Sequence, residues 1–216
     1  MKNNNNTENS YSRILIDSVH TPENGLAAIN SKPSPTQRAD MTVWLDTRLN
    51  IDSGTPVGTL DNSFDSLIPL WRWFYSAARF QTIAPKMLEG MRSTLKLCGR
   101  SDELSPVTSL LFTQETKLIT FAIGHYVGQC FTVNSPLITW GTHADRSGAP
   151  NVLKVCPVLK GFVIPPDSED HGKVFAPFNT VTHTAERLLC GKYKVSDLYD
   201  VCMKWAQYIP QKEAEL

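Results

Sequence analysis

No run of apolar residues in this 216-residue chain approaches the ~18 to 20 that a membrane-spanning helix needs, so a helical span is excluded as its mode of membrane contact. The five cysteines, Cys98, Cys130, Cys156, Cys190 and Cys202, contain no CxxC pair and lie too far apart for a zinc ribbon or a redox motif. An odd set of this kind reads as free thiols. With no hydrophobic secretory leader, the reading is a reducing, intracellular compartment. The histidines make no HxH, HxxxH or HExxH pair, and there is no GxGxxG, GxxxxGK or GxSxG. Those absences remove the usual signatures of metal, phosphate-cradling and serine-nucleophile chemistry, and the expectation is a protein without cofactor, metal or catalytic residues. His125 reads as a core histidine and His143, near Asp145, as part of a polar turn running to Pro150.

Net charge is lacking too: 21 basic side chains balance 21 acidic ones. Against that balance one segment stands out. Between Trp71 and Arg100 lie six cations, Arg72, Arg79, Lys86, Arg92, Lys96 and Arg100, and a single acid, Glu89. Ordinary solvated helix faces intersperse glutamate with lysine at i to i+4, so a run this one-sided points to an anionic partner, a membrane face or a nucleic acid. The same segment is rich in aromatics. Phe64, Leu67, Ile68, Trp71, Tyr75 and Ala78 step by three and four and predict the buried stripe of a helix capped by Asn62 or Ser63. Trp73 and Phe80 fall off that stripe and are expected near the surface beside arginines, the composition of a face that meets lipid headgroups or stacks on bases.

Residues 1–39 are a different material, dominated by asparagine, serine and proline, and read as a disordered polar tail. Within it Lys32 to Gln37 (KPSPTQ) is a candidate short-motif contact for a partner. Residues 40–216 read as one α+β domain with antiparallel strands packed against two central helices. Met41 to Leu49 alternates as a first strand. The aromatic helix follows, and Thr82 caps a second, basic helix ending at Gly99. Period-two alternation from Lys117 to Gly124 predicts a strand, followed by short strands at Cys130–Val133, Leu137–Trp140 and Asn151–Ile164. Two helices close the chain, one ending at Gly191 and one capped by Ser196 with Leu198, Val201, Cys202 and Trp205 inward.

The order of elements from Ala39 to Pro166, with the residues Met41-Thr42-Val43 and the aromatic helix, resembles the rhabdovirus matrix proteins. The lysine-rich N-terminal arm and PPxY motif of the better known members are absent, and KPSPTQ stands in place of their proline-bearing segment. The resemblance implies a non-enzymatic virion protein of the host cytoplasm and inner membrane face. Such a protein self-associates as a homo-oligomer and links the viral nucleocapsid or its RNA to an anionic membrane surface. The other reading of the same basic helices is a nucleic-acid-binding module of nucleocapsid or silencing-suppressor type.

Overall fold

The structure, a computed structural model, describes residues 35–86, 88–90, 93, 110–145 and 154–211. It is α+β, with the helices α1 (Pro35–Ser53), α2 (Leu67–Ala77), α3 (Gln114–Asn134), α4 (Pro177–Leu189) and α5 (Asp197–Ala206) and, among the described residues, four strands in two antiparallel pairs. The pairs are β1 (Phe80–Thr82) with β2 (Leu110–Phe112), and β3 (Thr139–Asp145) with β4 (Lys154–Lys160). Residues 85, 86, 88–90 and 93 are helical as well, where the second basic helix was expected.

Three expected strands are helical, in two helices. Met41 to Leu49 lies within α1, which begins at Pro35, inside the segment read as tail; Lys32 to Ser34 lie outside the described residues. Val43 decides between the two periods, since a strand would place it with Met41 and Leu45. It is 66% exposed while Leu45 and Leu49, four apart, are buried, so the spacing of four is the one the core uses. Lys117 to Gly124 and Cys130 to Val133 likewise lie in α3. This helix is the centre of the molecule and is buried on several faces at once, through Ile119, Ala122, Ile123, Tyr126, Val127, Cys130 and Phe131. A helix apolar all round carries no helical period, and over a short window it cannot be told from a buried strand. Its start was legible in principle: Thr113 caps it by accepting from the Thr116 N–H, with Glu115 in the first turn.

Two glycines let neighbours reach the α3 backbone. Phe178 of α4 lies over Gly124, and the Trp140 indole of β3 lies over Gly128. Phe178 stacks on Phe121 (centroids 4.8 Å), and His125 sits buried among Phe121, Trp140 and Phe178, the core histidine expected, though on a helix. His143 stands on β3 opposite Cys156 rather than in a turn. Residues 146–153, the remainder of the expected turn and the start of the next strand, lie outside the described residues.

The C-terminal part is locked by Asp170. Its carboxylate is almost wholly buried and accepts from Lys204 Nζ (3.2 Å to Oδ1), Lys173 Nζ (3.0 Å) and the Tyr208 hydroxyl (3.2 Å). These contacts, Lys204 first, hold the acid well below its ordinary range, at about 2. A carboxylate whose folded pKa is depressed contributes stability above its unfolded value and loses it as pH falls through the folded one. Stability should therefore drop as pH falls from 3.8 toward 2, and Asp170→Asn should flatten that part of the curve in a denaturation series. An unchanged slope in the variant would refute the assignment.

Candidate functional site: a basic aromatic surface between α2 and α5

Helix α2 turns Leu67, Leu70, Trp71, Trp73 and Phe74 inward. Trp71 is core, as expected. Trp73 is not at the surface: it is 2% exposed, because α1 packs over it and Asp52 of α1 accepts its indole N–H (3.1 Å). Tyr75, expected inside, is 55% exposed. The buried face is thus rotated by about one residue from the predicted stripe, which in a row of consecutive aromatics is a small change in sequence and a large one in space.

Of the cations singled out in the sequence, Arg72 is exposed on the outer face of α2 and Lys86 is exposed beyond β1. Arg79 is exposed just past the helix, not on it. Its guanidinium folds back to donate to the carbonyls of Ser76 (2.7 Å) and Ala78 (3.2 Å), where the helix leaves acceptors unpaired and its dipole favours a cation. Phe80 follows it, 41% exposed and stacked on Phe112 (5.5 Å), as the sequence led one to expect of a ring off the stripe. Among the described residues no carboxylate pairs with Arg72, Arg79 or Lys86. Arg92, Lys96 and Arg100 lie outside the described residues.

The structure adds a group that the sequence reading missed. Helix α4 ends with Gly191 at φ +66°, where Gly191 N–H donates to Leu188 C=O (3.1 Å) and Lys192 N–H to Arg187 C=O (2.9 Å). This left-handed glycine closure ends the helix, and in the turn after it Tyr193 lies against α2 while Lys192 and Lys194 are exposed. The Tyr193 hydroxyl donates to the Trp71 carbonyl (3.0 Å), and its ring stacks on Tyr75 (4.2 Å, 23°). Asp197, at the start of α5, fixes the turn by accepting from Lys194 N–H (2.8 Å) and from Arg187 (2.8 Å). Burial pushes the Tyr193 phenol up to about 12, with Asp197 and Tyr75 adding to it and the Arg72 charge opposing. The tripeptide Lys-Tyr-Lys directly after a helix-ending glycine was the available signal, an aromatic bracketed by cations on a turn.

Elsewhere the chemistry is sparse. Burial pushes the Cys130 thiol up to about 12 and Cys202 well above its ordinary value, so neither supplies a thiolate nucleophile. Among the described residues no cluster of histidine, cysteine and carboxylate could hold a metal ion, and no helix is long and apolar enough to cross a membrane. An open groove of ≈ 530 Å³ at the far end of α5, between Asn134–Pro136 and Ile209–Gln211, contains no charged side chain. No family model, curated protein or solved structure matches the chain.

Proposed function

We propose that the protein is a non-enzymatic structural adaptor of the matrix type, which attaches to an anionic membrane surface, self-associates there and links a nucleocapsid to it. The observation that supports this reading is the exposure of Arg72 on α2, of Arg79 and Phe80 just past it, and of Lys86 beyond β1. Cations without carboxylate partners among the described residues accompany a half-exposed ring, the mixture that suits a headgroup layer.

Arg72→Glu, Arg79→Glu and Lys86→Glu together should leave the fold standing, since exposed charges contribute about 0–1 kcal/mol each to stability. Near an anionic bilayer each cation is worth about 1 kcal/mol, so three reversals should weaken attachment to phosphatidylserine-containing vesicles by about 3 kcal/mol, roughly a hundredfold. Co-sedimentation measures it. Binding equal to the parent's, in a variant with parental circular dichroism, would sink the proposal.

A further inference from the structure

The Tyr75–Tyr193 stack does something the membrane reading leaves unused. One face of the Tyr75 ring is covered by Tyr193 and more than half of the residue is open to solvent. Its backing is held from behind by the Tyr193–Trp71 hydrogen bond, by the glycine closure at Gly191 and by the Asp197 contacts. A ring set this firmly is preorganised, so little ordering is lost when a second flat group lies on it. The surroundings are cationic. Arg72 stands one turn before Tyr75 on the same helix and its charge reaches Tyr193, while Lys192 and Lys194 are exposed on either side of Tyr193. Among the described residues the carboxylate acting on the tyrosine is Asp197, which already accepts from Arg187 and the Lys194 amide.

We propose that Tyr75, backed by Tyr193, is a stacking platform for an unpaired nucleobase of single-stranded RNA, whose flanking phosphates are met by Arg72, Lys192 and Lys194. An aromatic face with cations on its rim complements the alternation of flat base and anionic linkage along a single strand, and such stacking tolerates any base because each has a π-face. A lipid headgroup would use the cations but has no flat group for the ring. The proposal stands apart from membrane attachment, and the two fail separately.

The test uses the full chain and a fluorescent single strand of about twelve uridines, read by anisotropy. Stacking of one base on an aromatic side chain is lost on alanine substitution with a weakening of about fivefold to a hundredfold, so Tyr75→Ala should fall in that range. Tyr75→Phe should bind as the parent does, because the ring and not the hydroxyl makes the contact. Tyr75→Leu, which keeps apolar bulk without the ring, should fall with alanine. Three phosphate contacts should contribute about −2 to the slope of log affinity against log salt, a share removed by Arg72→Gln, Lys192→Gln and Lys194→Gln together but kept by Tyr75→Ala. Vesicle attachment of Tyr75→Ala should equal the parent's. The inference is overturned if the parent fails to bind the strand, if Tyr75→Ala or Tyr75→Leu binds it as well as the parent, or if Tyr75→Ala loses vesicles and keeps RNA.

Discussion

Gly128→Ala should destabilise the protein, although alanine is the better helix former by about 1 kcal/mol. A Cβ built at Gly128 falls 1.9 Å from Cζ2 and 2.6 Å from Cη2 of Trp140, the end of a rigid, almost wholly buried indole. Neither side can give way cheaply. Gly128 is in the middle of the central helix α3, and Trp140 is held in β3, paired with Leu159 of β4 and tilted against Phe178 at 5.8 Å. Overpacking of this kind costs about 1–3 kcal/mol and occasionally more, and here the shortfall is at the upper end of what cores absorb. Urea denaturation should show a midpoint well below the parent's. Trp140→Leu, which costs stability in the parent, should cost less or restore some in the Gly128→Ala background, a coupling that a double-mutant cycle reads directly. A variant at least as stable as the parent would mean that the indole does not lie on that turn.

Trp71→Ala should cost about 3–5 kcal/mol, as a large-to-small change at a fully buried position. The ring stacks on Phe74 at 4.8 Å and lies 6.5 Å from Tyr193, so its removal opens space on two sides that fixed helices cannot close. Chemical denaturation followed by far-UV circular dichroism measures the loss. Trp73→Ala should be costly as well, since its indole N–H also leaves Asp52 without that donor. A loss under about 1 kcal/mol at Trp71 would show that α2 presents another face to the core.

The sequence carried the class of the fold, the aromatic helix and both C-terminal helices, down to Gly191 as a terminator and Leu198 and Cys202 as inward residues of α5. These were legible because each is amphipathic, with one buried and one exposed face, so the local period marks a helix even where, as in α2, the buried face is rotated from the predicted stripe. It misplaced α1 because Met41, Val43 and Leu45 satisfy an alternation by chance, and only Leu49 extends the competing spacing of four. It misread α3 because a helix enclosed on all sides has no polar face to betray its period, while threonines and glycines between its apolar residues imitate the pleat of a strand. At the candidate site, Arg72 could be read directly from the imbalance of charge. The Tyr193 contact could not, because it joins parts of the chain with no shared local pattern.

The bond from the Tyr193 hydroxyl to the Trp71 carbonyl spans 122 positions of sequence. A ribosome adding about 5–20 residues per second needs roughly 6–24 s to cover that interval. Throughout it the newly made α2 lacks both its tyrosine cover and its α5 neighbour. The most aromatic stretch of the chain is therefore made early and enclosed late. Nascent molecules on one message would carry uncovered tryptophan and tyrosine side by side, so the same surface that stacks in the finished protein is, during manufacture, the one most exposed to chaperones and to premature association.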